Sequence, residues 1–192
     1  MALTPEDLAV LQGVLAERAH ARAAMVRRWL KPVLRWARGL GGPGVDPEDV
    51  AHDVFVVVLT KLHALRDLGA FEPWLFGITR RVLKTHRRRA RKWQWGWFGA
   101  EELADESPGL DRVLADRQVA ERVQAALARV PERQREVLTL CDLEGRTAQQ
   151  AAELLGVSVG TVKSRLRLGR QRLRRAPGVR LLLAELSQAE AG

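Results

Sequence analysis

The sequence predicts an all-α protein of two small helical domains joined by an acidic, tryptophan-containing linker. Apolar residues recur at helical spacing along most of the 192-residue chain. The exception is a polar, acidic stretch that contains Trp93, Trp95 and Trp97. We therefore predict an N-terminal domain over 1–92, a linker over 93–109, a C-terminal domain over 110–176 and a tail over 177–192.

The N-terminal half begins with helical periodicity from Leu3 to about Gly39, interrupted at Pro32 because proline removes a helical hydrogen bond. A loop rich in glycine and proline follows. The next helix starts at Asp46, since an aspartate cap is followed by proline and then by acids in the first turn. It runs to about Leu65. A third helix begins near Glu72 and continues into a basic run.

The strongest local pattern lies in the C-terminal half. Thr147 can cap a helix, and Gln150 three residues later completes a capping box. Gly156 then provides the left-handed turn residue that favours glycine, and Ser158 can cap a second helix. This pattern predicts a helix-turn-helix, whose second helix lies in the major groove of DNA. Three further helices are predicted over 110–129, 131–142 and, in the tail, 179–186.

The second helix of this motif has two distinct faces. Projected at about 100° per residue, Lys163, Ser164 and Arg167 lie opposite the apolar Val162 and Leu166. Cationic and hydrogen-bonding side chains of this kind read base edges and phosphates. A plain helical hairpin with a solvated basic face is the alternative. The turn glycine and Val162 at helix-turn-helix spacing favour DNA binding.

The charge distribution also indicates a polyanionic partner. The chain has a net charge of +9, and its basic residues are concentrated in two runs. Residues 80–92 hold eight Arg or Lys and residues 163–175 hold seven, with no acid in either run. Residues 101–116 between them carry six acids. Two basic runs separated by an acidic segment indicate two nucleic-acid contacts, whereas neither run has the broad apolar face of a membrane-surface helix.

Other classes of site and location find little support. Cys141 is the single cysteine, and the four histidines show no zinc-ligand spacing, so we expect no metal and no cofactor. Asp49 and Asp53 lie one helical turn apart, but no nucleophile–base set accompanies them, and catalysis is not expected. The N-terminus lacks the features of a signal peptide, and no apolar run could span a bilayer. We therefore expect a cytoplasmic protein without membrane contact of its own.

Five segments, in this order and spacing, resemble a known family. The N-terminal half contains DPEDVAHDVF at 46–55 and FEPWLFGITR at 71–80. The C-terminal half contains VPERQREVL at 130–138, EGRT at 144–147 and GTVKSRL at 160–166. Together they cover most of residues 25–175 and resemble the extracytoplasmic-function group of bacterial RNA polymerase sigma factors.

The resemblance implies a protein that binds core RNA polymerase and directs it to the −35 and −10 elements of promoter DNA. It also implies an anti-sigma protein as partner. The implied polymerase contacts are Asp49, His52 and Asp53. The implied −35 contacts are Ser158, Thr161, Lys163, Ser164, Arg165 and Arg167. The implied −10 contacts are Leu65, Trp74, Arg80, Arg81, Lys84, Arg87 and Arg88.

Some of these residues depart from the family or have a second interpretation. Many relatives carry an aromatic residue where this chain has Leu65, and an asparagine where it has Arg81, so the −10 preference cannot be transferred. Trp74 shares its helix with Leu75 and Ile78, which favours a core position. An ordinary DNA-binding regulator with a sensing or dimerising N-terminal half is the alternative function, and an enzyme acting on nucleic acid is a more distant one.

Overall fold

Every regular element in the described part of the chain is a helix, which confirms the predicted all-α class. The computed structural model describes residues 3–96, 122–176 and 179. The N-terminal half has helices α1 (Pro5–Leu15), α2 (Ala19–Gly41), α3 (Pro47–Lys61) and α4 (Phe71–Gly96). After helical residues 122–128, the C-terminal half has α5 (Glu132–Leu138), α6 (Ala148–Leu155) and α7 (Val159–Arg175).

The first predicted helix is two helices, and its break is not at the proline. The chain turns between Leu15 and Ala19, where Glu17 has a φ of 55°. Pro32, predicted to interrupt the helix, lies inside α2. A proline within a helix costs about 3 kcal/mol. The neighbouring Trp29 and Val33 are buried, and their packing offsets that cost.

The core of the N-terminal half is built on α2. The indole of Trp29 meets the Phe71 ring edge-on at 5.1 Å between centroids, and Trp36 meets Phe76 in the same way at 5.0 Å. Both phenylalanines belong to α4, so these pairs fix α4 against α2. Asp46 caps α3 by accepting hydrogen bonds from the backbone of Glu48 and Asp49, as predicted.

The connections around α4 differ from the prediction at both ends. Two short 3₁₀ turns, Leu62–Ala64 and Leu68–Ala70, lead from α3 into α4. At its other end α4 continues to Gly96, four residues into the predicted linker. Linker residues 97–109, and the tail apart from residue 179, lie outside the described residues. No structure is therefore assigned to the side chains of Trp93, Trp95 and Trp97.

The helix-turn-helix forms as predicted. Thr147 and Gln150 make the capping box at the start of α6, with the Thr147 hydroxyl accepting from the Gln150 backbone. Gly156 ends α6 in the left-handed conformation, with φ 64° and ψ 38°. Ser158 then caps α7 by accepting from the Thr161 backbone. In front of the motif, α5 gives way to a π-helical turn, Thr139–Leu143, where a continuous α-helix was predicted.

The two halves pack against each other through one continuous apolar core. Val137 and Leu140 of the C-terminal half belong to the same buried cluster as Trp36 of α2. The halves approach closely at Gly39 of α2, where an added Cβ atom would lie only 2.8 Å from the Thr139 hydroxyl oxygen. Glycine is therefore required at this position by the contact between the halves.

This close approach predicts different effects for two glycine substitutions in helix interiors. Gly39→Ala should separate α2 from the π-helical turn, so the melting temperature should fall and small-angle scattering should report a larger radius of gyration. Gly77→Ala is the matched control, because nothing lies within 4 Å of its added Cβ. That control should be neutral or stabilising by about 0.5–1 kcal/mol. Equal behaviour of the two variants would contradict the assigned contact.

Candidate nucleic-acid interface

The recognition face of α7 is exposed where the helical projection placed it. Val162 is fully buried on the inner side of α7, whereas the side chains of Lys163, Ser164 and Arg167 are exposed. The groove along this face has a volume of about 550 Å³. A cationic, solvent-facing groove over a rigid apolar base is suited to the polyanionic surface of a duplex.

Three arginines extend this face beyond the predicted residues. Arg170, Arg174 and Arg175 line the same groove as Lys163 and Arg167. The signal that could have found them is their helical spacing from Arg167, at three, seven and eight residues further along, which places them along one side of a helix. Arg170 is held by both oxygens of Asp142 at 2.6 and 3.1 Å. The hydrogen bond with Asp142 raises the pKa of Arg170.

The remaining −35 candidates have other contacts. The hydroxyls of Ser158 and Thr161 lie 2.9 Å apart, and the Ser158 hydroxyl also caps α7. Arg165 is half-buried, and its charge acts on Glu136 in α5. Of the six predicted residues, three therefore form the exposed face, while the others cap the helix or lie toward α5.

The −10 candidates follow α4 and the turn before it. Leu65 is half-buried in that turn. Trp74 is also half-buried and packs against Phe71, with centroids 5.9 Å apart. It contributes to the core and keeps part of its ring at the surface. The side chains of Arg81, Lys84 and Arg88 are exposed.

Two predicted −10 residues are instead paired with the C-terminal half. Nε of Arg80 lies 2.6 Å from Oε1 of the buried Glu136, in an ion pair that lacks hydrogen-bond geometry. Arg87 donates to Oε1 of Glu132 at 2.5 Å and to the Leu40 carbonyl at 3.3 Å. Nothing in the local sequence signals these pairs, because the partners are about 45–56 residues apart along the chain.

The pKa values of these two carboxylates shift in opposite directions. Burial raises the pKa of Glu136, against the opposing charge of Arg80. Burial also acts to raise the pKa of Glu132, but the hydrogen bond and charge of Arg87 outweigh it, and that pKa is lowered. Glu132 is therefore the more firmly ionised partner.

A third interdomain ion pair lies beside the helix-turn-helix. Nη2 of Arg146 is 2.5 Å from Oε1 of Glu72 at the start of α4, and its Nε is 3.0 Å from Oε2 of Glu144. All three side chains are largely buried. Removing one member of such a cluster leaves an uncompensated charge, which costs several kcal/mol. This cluster therefore aligns α4 with the loop that precedes α6.

The three residues predicted to contact the polymerase lie on α3, but they differ in their exposure and contacts. Asp49 and His52 are exposed, whereas Asp53 is bonded through Oδ2 to Nε2 of His86 in α4 at 2.8 Å. The exposed apolar Val56 and Leu59 follow His52 at helical spacing and extend its face. Sequence reasoning missed these two residues, although their spacing from His52 could have indicated them.

Two other classes of site were searched for in the described residues. Across 3–96, 122–176 and 179, no group of three or more His, Cys, Asp or Glu side chains is arranged to hold a metal ion. None of the helices described is long and apolar enough to cross a membrane.

Comparisons with known proteins assign both halves to one family. The family model for sigma-70 region 2 matches residues 25–93, and that for sigma-70 region 4 matches residues 120–173. The chain is 31% identical over 185 residues to the RNA polymerase sigma factor CnrH of Cupriavidus metallidurans, covering 89% of this chain and 95% of CnrH. It is 34% identical over 152 residues to the ECF sigma factor SigE of Mycolicibacterium smegmatis, covering 78% of this chain but only 59% of SigE.

Solved structures agree with this assignment. CnrH in complex with the cytosolic domain of CnrY has the same fold, with a TM-score of 0.65 at 24% identity over 87% of this chain and 94% of that one. The sigma factor RpoE in complex with the anti-sigma factor NepR, from Bartonella quintana, gives 0.53 at 26% identity over 78% and 94%. The two halves are thus sigma-70 domains. The chain belongs to the ECF group of sigma factors, which give bacterial RNA polymerase its promoter specificity.

The pairing of Arg87 predicts that Glu132→Gln strengthens nonspecific binding to single-stranded DNA. The substitution releases Arg87 and removes a negative charge among cations, so the affinity of the free protein should rise about two- to fivefold at low salt, as expected for a half-exposed pair. Glu153→Gln is the control, because Glu153 is exposed on α6 and its carboxylate accepts from Gln149 of the same helix, away from Arg87. Fluorescence anisotropy with an oligothymidylate measures both, and an equal gain would contradict a specific role for Glu132.

Proposed function

We propose that this chain docks on core RNA polymerase through α3, reads the −35 element with α7 and captures the opened −10 strand along α4. The observation that carries the proposal is the exposed cationic face of α7, formed by a helix-turn-helix within a sigma-70 region 4. Membership in the family supports the remaining steps.

Recognition of the −35 element follows from the geometry of α7. Lys163, Ser164 and Arg167 extend from the exposed side of a helix held by a rigid apolar base, so they can reach base edges in the major groove. Arg174 and Arg175 lie further along the same groove and supply charge for the phosphates, whereas the charge of Arg170 is paired with Asp142. Phosphate contacts position the helix, and base contacts provide specificity.

Opening of the −10 element requires single-strand capture to offset lost stacking and pairing. The exposed cations of α4 can hold strand phosphates, and the surface part of Trp74 can stack on a base. Arg80 and Arg87 can join them only when their pairs with Glu136 and Glu132 open. The packed arrangement of the two halves therefore restricts the −10 surface, and promoter engagement requires the halves to separate.

Docking on the polymerase is assigned to the exposed face of α3. Asp49 and His52 supply polar contacts, and Val56 and Leu59 supply apolar area beside them. Asp53 positions α3 against α4 through His86. An interface with apolar residues at its centre and polar groups around them is typical of protein–protein contacts.

The remaining aspects of the proposal concern partners and location. CnrH and RpoE were solved with the cytosolic domain of CnrY and with the anti-sigma factor NepR, and a comparable anti-sigma partner would hold this chain inactive. The chain would act in the cytoplasm as a specificity subunit, without catalytic activity of its own.

Transcription with purified core polymerase tests the proposal directly. A pool of upstream fragments from the source genome should give discrete start sites that appear only when this chain is added. The same starts would reveal both promoter elements. DNA binding without new starts, together with no complex with core polymerase, would support an ordinary helix-turn-helix regulator instead.

The −35 assignment predicts that Arg167→Ala weakens binding to the promoter found in that assay by about 1–3 kcal/mol. Arg172→Ala is the matched control, because it removes the same charge from an exposed position of α7 that does not line the groove. The control should preserve the ratio of specific to scrambled-site affinity. If Arg167→Ala weakens binding to scrambled DNA equally, Arg167 contacts only phosphate.

A further inference from the structure

A cationic cavity of about 670 Å³ lies between α4 and the C-terminal half. Its other walls are the end of α2 and the segment from Ala128 to Arg135. Among the described residues, Glu132 supplies the one carboxylate that lines it, and this carboxylate is paired with Arg87. The cations that line the cavity are Lys84, Arg87, Arg88, Arg91 and Arg135.

Arg135 is the unusual residue of this cavity. Arg135 is only 5% exposed, and its Nε atom is buried without a hydrogen-bond partner. Burial lowers the pKa of Arg135 to about 10, and the nearby charge of Arg87 acts in the same direction. A buried charged donor without a partner is costly. Arg135 therefore provides a site for an anion.

The charges of Glu132 and Glu136 act on Arg135 and partly oppose the effect of burial, but both carboxylates are paired directly with other arginines. Oε1 of Glu132 accepts a hydrogen bond from Arg87 at 2.5 Å, and Glu136 pairs with Arg80 at 2.6 Å. The cavity therefore keeps an excess of positive charge after the interdomain pairs have formed. Such an excess attracts a ligand that carries several negative charges.

We propose that this cavity binds a small phosphate-bearing anion, which Arg135 holds from the C-terminal half and Arg88 and Arg91 hold from α4. Guanidinium groups present planar pairs of donors that match phosphate oxygens. The volume lies within the range of small-molecule sites. A short polyphosphate, or the phosphate chain of a nucleotide, has the required charge and size.

The position of the cavity favours a free anion over the backbone of a nucleic acid. Both halves form its walls, so it exists only while they are packed together, whereas strand capture along α4 requires them to separate. A ligand that binds the packed arrangement alone stabilises it in proportion to its concentration. The anion would thus strengthen the state in which Arg80 and Arg87 are withheld from DNA.

Isothermal titration of the full chain with inorganic triphosphate at about 150 mM salt tests the site. Saturable binding with one site per chain is expected. Arg135→Gln should weaken it at least about tenfold, the loss typical of a charged hydrogen bond. Arg133→Gln, the same change at an exposed position of α5, should alter it less than about twofold.

A second pair of variants tests the opposite wall and does not depend on the buried residue. Arg88 lines the cavity, whereas the adjacent Arg89 is exposed and does not. Arg88→Gln should weaken triphosphate binding more than Arg89→Gln does. If Arg135→Gln lowers the melting temperature so far that the protein unfolds, the comparison of Arg88→Gln with Arg89→Gln tests the site by itself.

Three results would overturn the proposal. The first is the absence of saturable binding of triphosphate. The second is an equal loss in cavity and control variants, which would indicate general attraction to a basic chain. The third is that Arg135→Gln weakens binding of an oligothymidylate more than Arg133→Gln does, while the two variants bind triphosphate equally. The natural ligand of the cavity would then be the backbone of a nucleic acid.

Discussion

The contact between the end of α2 and the π-helical turn is the constraint on which the arrangement of the described halves depends. Gly39 allows the backbone of α2 to approach Thr139, and the apolar core continues across this contact from Trp36 to Val137 and Leu140. Apolar burial provides the attraction, since it grows with the area removed from water. The ion pairs around it fix the alignment, because each requires a particular geometry.

The same interface decides which cations of α4 are available. Glu132 and Glu136 align α5 with α4 by pairing with Arg87 and Arg80, and in doing so they neutralise two residues of the proposed −10 surface. Arg135, on the same short helix, is left without a carboxylate and faces the cavity. The same interface therefore pairs Arg80 and Arg87 with carboxylates and places Arg135 at the cavity. A ligand bound to Arg135 would stabilise the arrangement in which Arg80 and Arg87 are paired.

The face of α7 that is proposed to read DNA lies outside this interface. Its exposed residues point away from the core, and its orientation is set by Val162, Gly156 and the caps at Thr147 and Ser158. The −35 surface is therefore complete in the packed arrangement, whereas the −10 surface is not. A sigma factor built in this way can keep the reading helix formed while strand capture waits for the halves to separate.

The sequence by itself determined the features whose causes are local. The capping box at Thr147, the left-handed glycine and the two-faced second helix each depend on residues within a few positions, so the helix-turn-helix and its exposed side could be predicted. The motifs at 46–55, 71–80 and 130–166 identified the family for the same reason. Only the tertiary structure decided that α2 continues through Pro32, that α5 ends in a π-helical turn, and that Arg80 and Arg87 are paired. Those outcomes depend on packing and charge between residues far apart in the chain, where the energy of a distant contact outweighs a local preference.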